Sequence, residues 1–504
     1  MDRKEIRKRF SLRAAAVLLC TAVLWAVLFP VASSGSFRMD SDRMLHQPET
    51  AMNQYIRENR GGMVLLLRLF GLDRWDPVRS GVLYLLFLTL SGWLLCLFVR
   101  RLTEWKDRRL YLLLFLLYTL SPVWAFHAYF VLQSAPVGLG MLLCTCLAGI
   151  DSLFWTSDRK QLWLRAGWEV SAVLFLGFCT TVYQALIVHF AAVWAALMFC
   201  CLRKGRRVSV SAFVLPVLRA LLAVAVYLLV SGMVRGGTDT AYLNGQILWG
   251  KVPFVQNCHL IIRSAGASLL PANSSRFSLY PVAAVCLCLI WYRGRKNPAG
   301  SSGFLFTAAC LALLLLPFAF NVLLGNASVP RTQFALQLTA ALVPVCFLGD
   351  SAGRHRIFRT VLVFVLVVQA ALTVRLYHTD NVRNRRDTEV ADRICTELED
   401  ADPELPVIFH GKLSFEDYSI LTEKTDVYGR SFFEWVYQVN KPSSATDSSL
   451  RLLSAYSGKN YKTIKKGPIL DRAMKEAASL PCYPEDGFVQ KTDEYILISL
   501  PEKR

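Results

Sequence analysis

Two aspartates stand just beyond the first apolar stretch of the chain, in the segment Phe37-Arg38-Met39-Asp40-Ser41-Asp42-Arg43. A carboxylate can accept the proton of a hydroxyl group while that hydroxyl attacks an activated carbon, which is general-base chemistry. The low dielectric beside a bilayer would raise the pKa of such a carboxylate and make it a stronger base. Asp and Ser also favour solvated turns, so the pair alone leaves a catalytic and a structural interpretation open.

Arg60 lies farther along the same connection, directly before Gly61-Gly62. The pattern of residues 50–71 predicts two short amphipathic helices broken at these glycines, and helices of this kind lie in the membrane interface. An arginine at the break can bind a phosphate through two parallel N–H donors. Anchoring among anionic headgroups would explain the same arginine, so both interpretations stay open.

Three further polar residues stand at the ends of apolar stretches: Tyr183 and Gln184 at one, and Arg331, after Pro330, at another. The Gln184 amide can bind hydroxyl groups at the mouth of a helix bundle, or it can hydrogen-bond to a neighbouring helix. Arg331 can bind a phosphate or extend its charge to the membrane surface. His127, His189 and His259 lie in different segments without a carboxylate or cysteine at ligand spacing, so we predict packing or headgroup contact for them rather than a metal site.

The elements that must position these residues are membrane helices. Apolar residues make up 54% of the 504 residues and charged residues only 18%, with a mean hydropathy of +0.38. A soluble protein has roughly 25% charged residues. The net charge of +19 is concentrated in short loops between apolar runs, which is the pattern of cytoplasmic loops and not of a nucleic-acid-binding surface.

Apolar runs bounded by charged flanks predict a polytopic α-helical membrane protein with about eleven spans. The predicted spans cover residues 14–32, 79–99, 110–128, 134–155, 167–182, 184–202, 212–234, 279–292, 303–324, 332–349 and 360–377. Every second connection is short and basic, whereas 33–78 and 235–278 are long and mixed in charge. This alternation predicts a cytoplasmic N-terminus and places both aspartates and the C-terminus on the outer side.

The character of the chain changes after residue 377. Residues 406–411 and 494–500 have the pattern of buried strands, and 470–477 that of a helix. We therefore predict a transmembrane domain over 1–377, with the acidic pair in its first outer loop, 33–78, and a small extracytoplasmic α/β domain over 378–504. An extended chain would point Asp40 and Asp42 to opposite sides, which favours Asp40 as the base.

The order of these features resembles the bacterial and phage O-antigen glucosyl transferase family (Gtr type II). The features that carry the resemblance are the acidic pair after the first span, Arg60-Gly61, Tyr183-Gln184-Ala185, Pro330-Arg331 and Val427-Tyr428-Gly429-Arg430-Ser431-Phe432-Phe433-Glu434-Trp435. They cover most of the chain in the same order. The family often has adjacent acidic residues, whereas Ser41 separates them here.

The resemblance implies a glycosyltransferase of the plasma (inner) membrane that uses a polyprenyl-phosphate sugar and has its active site on the outer face. The donor would be undecaprenyl-phosphate glucose or a similar lipid, and the acceptor an extracytoplasmic cell-surface glycan. Asp40 and Asp42 would be the catalytic carboxylates, Arg60 and Arg331 would bind the donor phosphate, and Tyr183 and Gln184 would bind sugar or headgroup. No cofactor is implied, although a divalent metal is compatible with the class.

A second hypothesis is a transporter or flippase for a lipid-linked glycan. Such proteins tend to have paired half-repeats, Gly/Pro-broken helices and charges at mid-membrane. The sequence has no internal repeat, and the predicted spans 79–99, 303–324 and 360–377 carry no central charge. These features favour the enzyme. A cell-wall assembly scaffold that acts through the outer domain is a third interpretation.

Overall fold

The computed structural model describes residues 3–38, 40–155, 162–206, 208–235, 245–269, 278–296, 303–350, 356–413, 429–434 and 442–501. These residues are mostly helical, and they form two compact units. The first unit comprises Met1–Ser34, Asn53–Leu72 and Asp76–Val374, and the second comprises Gly35–Met52, Asp73–Trp75 and Arg375–Arg504.

The helices up to residue 235 are α1 (Arg3–Ala32), α2 (Ser41–His46), α3 (Pro48–Arg57), α4 (Gly61–Leu69), α5 (Pro77–Thr103), α6 (Arg109–Thr119), α7 (Val123–Tyr129), α8 (Val131–Phe154), α9 (Leu162–Val182), α10 (Leu186–Arg203) and α11 (Ser211–Arg235). Those that follow are α12 (Phe254–Leu269), α13 (Tyr280–Lys296), α14 (Gly303–Leu315), α15 (Ala319–Leu324), α16 (Phe334–Asp350), α17 (Arg356–Glu397), α18 (Pro442–Ser457) and α19 (Pro468–Glu476). Short 3₁₀ turns cover Leu316–Phe318, Pro330–Thr332 and Ala477–Ser479.

Helices stand at all eleven predicted span positions, but fewer of them meet the requirements for a full span. Within the described ranges, seven helices are long and apolar enough to cross a membrane, or eight if the bent pair α6 and α7 counts as one span. Tyr280–Gly294 and Phe334–Gly349 are apolar but shorter. The protein is thus a multi-pass helical membrane protein, whereas the number eleven and the orientation stay predictions.

Close packing of α5 against α8 forms much of the centre of the first unit. Asp76 caps the start of α5 by accepting a hydrogen bond from the Arg79 amide at 2.9 Å, and Pro77 occupies the first turn, where no amide is needed. Gly138 lets the two helices approach, since a Cβ there would lie only 3.1 Å from the Tyr84 ring.

A buried ionic network joins α8, α9 and α11. The Arg219 guanidinium, 2% exposed, pairs with Asp151 and with Glu169, the latter at 2.6 Å. The Trp168 indole donates a further hydrogen bond to Asp151 at 2.8 Å. These contacts hold the three helices together. The adjoining cavity measures about 20 Å³, which is roughly the space of one water and too small for a sugar.

The second unit contains a three-stranded sheet in the order β1 (Val407–His410), β3 (Ile496–Ser499), β2 (Val489–Lys491). Strands β1 and β3 are parallel, with Val407 opposite Ile496, and β2 is antiparallel to β3. Since side chains alternate between the two faces, Phe409 and Ile498 enter a core with α17, and Ile408 enters another with α19. These elements agree with the strands and the helix predicted in this region.

Helix α17 is 42 residues long, which corresponds to about 63 Å, roughly twice the thickness of the hydrocarbon layer. Its apolar part ends before Arg375, where the second unit resumes. The contacts therefore group the segment Gly35–Met52, with its acidic pair, with the C-terminal residues instead of with the helices of the first unit. The functional boundary at residue 377 stays a prediction.

Candidate functional site

The acidic pair lies at the start of the short helix α2 and not in an extended chain. Asp40 precedes the helix with φ 64°, a left-handed conformation that Asp and Asn tolerate better than most residues. Ser41 and Asp42 are the first helical residues, so the expectation of opposite side-chain directions in an extended segment is wrong. The Ser41 hydroxyl accepts a hydrogen bond from the Arg38 amide at 3.0 Å, which ties the start of α2 to the residues before it.

The two carboxylates have different surroundings. Asp40 is half-buried, whereas Asp42 is 2% exposed. One carboxylate oxygen of Asp42 accepts a hydrogen bond from Nε of Arg451 at 2.8 Å and lies 2.7 Å from Nη2 in the same ion pair. Arg451 is further fixed by the Ser448 hydroxyl at 2.7 Å. Asp42 therefore connects α2 to α18.

A second ionic network holds the residues that precede the pair. Arg38 is fully buried and donates to Asp380 through Nε at 3.0 Å and Nη2 at 2.6 Å. Asp380 also pairs with Arg383 at 2.8 Å. Burial acts to raise the pKa of Asp380, but the guanidinium groups of Arg38 and Arg383 outweigh burial and hold that pKa below its ordinary value.

The same network reaches the C-terminal motif 427–435. Asp387 accepts hydrogen bonds from the Ser431 hydroxyl at 2.6 Å and from the Phe432 amide at 2.9 Å. The Phe37 ring packs edge-on against Phe432, with ring centroids 5.2 Å apart. Val427, Tyr428 and Trp435 of this motif lie outside the described residues. Its described part thus helps to fix the segment that carries Asp40.

Arg60, Tyr183 and Gln184 come together in the first unit. Arg60 stands between α3 and α4, and the break between the two predicted helices falls at 58–60 and not at the glycines, which begin α4. Its Nε donates to the Gln184 side-chain oxygen at 3.3 Å, and its guanidinium lies 5.2 Å from the centre of the Tyr183 ring. Glu58 pairs with the guanidinium at 3.0 Å. Arg60, the candidate for binding the donor phosphate, is thus held in place beside the junction of α9 and α10.

Arg331 joins this cluster through aromatic side chains. It lies in the 3₁₀ turn before α16, with its guanidinium 4.0 Å from the centre of the Phe130 ring. The His127 ring lies 6.1 Å from that of Tyr183. His127 also packs against Phe334 at 4.9 Å, in agreement with the packing role predicted for it.

Several participants were not foreseen from the sequence. Glu58 and Tyr227 complete the Arg60 cluster, where the Gln184 amide donates to the Glu58 carbonyl at 2.9 Å and to the Tyr227 hydroxyl at 3.3 Å. No spacing pattern announces such contacts between distant segments. The Arg219 network could have been predicted from the sequence, because Asp151, Glu169 and Arg219 are charged residues of opposite sign inside predicted spans.

No metal ligands are assigned. In the part of the chain that the structure describes, His, Cys, Asp and Glu side chains form no group of three or more that could hold a metal ion.

The fold and these clusters define a multi-pass membrane protein with charged sites held at helix ends. The model of the family described as glucosyl transferase GtrII matches residues 33–348, more than half of the chain. The chain belongs to this family, and it is a membrane glycosyltransferase.

A search of the solved structures finds similarity to the crystal structure of ArnT from Cupriavidus metallidurans bound to undecaprenyl phosphate. The identity is 12% and the TM-score 0.43, over 90% of this chain and 89% of that one. A search of the curated proteins gave no match.

Proposed function

We propose that this protein transfers a sugar, glucose, from a polyprenyl-phosphate donor to a cell-surface glycan on the outer side of the plasma membrane. One observation carries the proposal: the match to the glucosyl transferase family runs from residue 33 to 348 and contains all the candidate site residues. These are Asp40, Asp42, Arg60, Tyr183, Gln184 and Arg331.

In the proposed reaction a hydroxyl oxygen of the acceptor forms a bond to the anomeric carbon of the donor. The bond from that carbon to the phosphate oxygen breaks, and the lipid phosphate leaves with the electron pair. Asp40 accepts the proton of the attacking hydroxyl. Its half-buried position supports this role, while the ion pair with Arg451 supports a positioning role for Asp42.

Charge that develops on the departing phosphate calls for arginine donors, because their fork of N–H groups matches phosphate oxygens. Arg60 is proposed to bind this phosphate. Gln184 and Tyr183 hold the Arg60 side chain from two directions, which reduces the entropy lost when the ligand binds. Arg331 is proposed as a second phosphate ligand.

The test is a transfer assay with the full-length protein in lipid nanodiscs, undecaprenyl-phosphate-[14C]glucose and cell-envelope glycan. Asp40→Asn is the sharpest variant, because asparagine keeps both the shape and the left-handed conformation. We expect kcat to fall about 10²–10⁴-fold, the usual contribution of a general base. Asp73→Asn, in the same connection, is the matched control and should leave kcat unchanged.

The phosphate role is tested with Arg60→Lys, which keeps the charge but loses the bidentate geometry. We expect this variant to bind the donor more weakly, so that the KM for the donor rises about tenfold. Absence of transfer by the wild type with several polyprenyl-phosphate sugars would contradict the proposal. Full activity of both Asp40→Asn and the double variant with Asp42→Asn would exclude the aspartates from catalysis.

A further inference from the structure

A cavity of about 210 Å³ lies where α4 begins, beside the ends of α9 and α11. Its wall is largely apolar, with side chains that include Ile56, Leu65 and Phe178. Asn59 and Gly61, the two neighbours of Arg60 in the chain, both line it. Two residues of the cavity wall are therefore direct sequence neighbours of Arg60, the residue proposed to bind the donor phosphate.

Two polar side-chain atoms in the cavity wall are buried. The side-chain oxygen of Asn59 and the hydroxyl of Ser231 have no hydrogen-bond partner among the described residues. A buried polar group without a partner is unfavourable, which indicates that a ligand satisfies these two. The hydroxyl can donate, and rotation of the Asn59 amide presents N–H donors to the same space.

The rim of the cavity is apolar and exposed. Leu65 is 59% exposed, Val230 42% and Val234 51%. Val230 and Val234 belong to α11, which is long and apolar enough to cross a membrane, and a membrane around this helix would cover their exposed faces with lipid. A ligand that enters here comes from the bilayer, with an apolar chain and a polar group at one end.

We propose that the cavity holds the first isoprene units of the donor lipid, and that Asn59 and Ser231 hydrogen-bond to the ester oxygens next to its phosphate. This inference rests on the proposed function. The volume is far larger than the roughly 10–15 Å³ that a single water needs, and the described part of the wall contains no charged residue, which suits a hydrocarbon chain.

Gly61 sets the width of the cavity. A Cβ at this position would lie 3.6 Å from Val234, an ordinary contact, so alanine fits and a longer side chain would fill the space. Gly232, next to Ser231 on α11, has nothing within 4 Å of a Cβ and does not line the cavity. The pair Gly61→Leu and Gly232→Leu therefore adds the same side chain inside and outside the proposed site.

The first experiment measures transfer kinetics of both leucine variants with two donors, one with the full polyprenyl chain and one with a short methyl ester in its place. We expect Gly61→Leu to raise KM for the polyprenyl donor by about tenfold with little change in kcat. Its KM for the short donor should match that of the wild type, which also shows that the variant is folded. Gly232→Leu should behave as the wild type with both donors. Equal KM values for the two leucine variants would overturn the inference.

The second experiment labels the wild-type protein with a photoreactive undecaprenyl phosphate that carries no sugar, followed by peptide mapping. We expect labels on residues 56–65 and 178–181, reduced by Ser231→Ala combined with Asn59→Gly, a pair that keeps the left-handed backbone at 59. Labels elsewhere, or equal competition by phosphatidylglycerol, would overturn the inference even if transfer occurs. Labels at the expected segments without any sugar transfer would contradict the proposed function and leave the lipid site in place.

Discussion

At the scale of single residues, Asp42 and Arg451 form an ion pair that fixes α2 to α18. We expect Asp42→Asn and Arg451→Gln each to lower the free energy of unfolding by about 1–3 kcal/mol, since a charged hydrogen bond is lost. Because both variants remove the same contact, their effects should not add. Thermal unfolding of the two single variants and the double variant in detergent measures this coupling.

Asp73→Asn is the control for that cycle, with an expected change below about 0.5 kcal/mol, because Asp73 is half-buried and lies outside the Asp42–Arg451 ion pair. Fully additive losses for Asp42→Asn and Arg451→Gln would show that the pair does not stabilise the protein. That result would contradict the positioning role proposed for Asp42.

Asp380 is the second residue whose charge has a clear consequence. Asp380→Asn leaves Arg38 and Arg383 buried with less compensation, so we expect a loss of about 3–5 kcal/mol in the free energy of unfolding at pH 7. The lowered pKa of Asp380 means that the ionised form stabilises the fold above its unfolded pKa of about 3.9.

The difference in stability between wild type and Asp380→Asn should therefore be full at neutral pH and shrink as the pH falls below about 4. Unfolding measured from pH 7 down to pH 3 tests this. A difference that grows on acidification would have the wrong sign and would contradict the assigned ion pairs.

At the scale of elements, Gly62 allows α4 to lie against α9. A Cβ at position 62 would overlap the Thr181 hydroxyl and approach the Val182 backbone amide to 3.1 Å. We expect Gly62→Ala to reduce the unfolding free energy by about 1–3 kcal/mol through overpacking, with partial recovery when Thr181→Ala is added. Gly61→Ala, whose Cβ has room, is the matched control and should change stability by less than about 0.5 kcal/mol.

The Arg219 network joins α8, α9 and α11, and we expect it to be structural. Arg219→Gln leaves two carboxylates without their cation and should cost about 3–5 kcal/mol. Replacing all three partners by leucine or methionine should recover much of that loss, and the triple variant should transfer sugar at the wild-type rate. Loss of transfer in a well-folded triple variant would contradict the structural role and would favour a proton or substrate pathway.

At the scale of the whole molecule, the predicted topology has a direct test. Alkaline phosphatase is active only outside the cytoplasm, so a fusion after Arg504 should be active and a fusion after Lys204 inactive. The physical reason is the retention of basic loops in the cytoplasm. An inactive fusion at the C-terminus would place the second unit inside and would overturn the proposed location of the active site.

The sequence predicted the positions of the membrane helices well, because each helix can be identified from its own apolar residues and the charged residues at its ends. It did not settle the number of complete spans, because Tyr280–Gly294 and Phe334–Gly349 are apolar but short among the described residues, and apolarity alone does not fix helix length. It placed Arg60 at a helix break and Tyr183-Gln184 between two helices, and both placements are confirmed. It was wrong about the backbone at Asp40, which is left-handed at the start of α2 and not extended.

By itself, the sequence determined the membrane class of this protein and the order of its candidate residues, because hydropathy and charge act locally along the chain. Only the tertiary structure decided the partners of those residues. Arg451 reaches Asp42 from a position far along the chain, and Glu58 and Tyr227 meet Gln184 in the same way. Contacts of this kind depend on how helices pack in three dimensions, which no local pattern encodes.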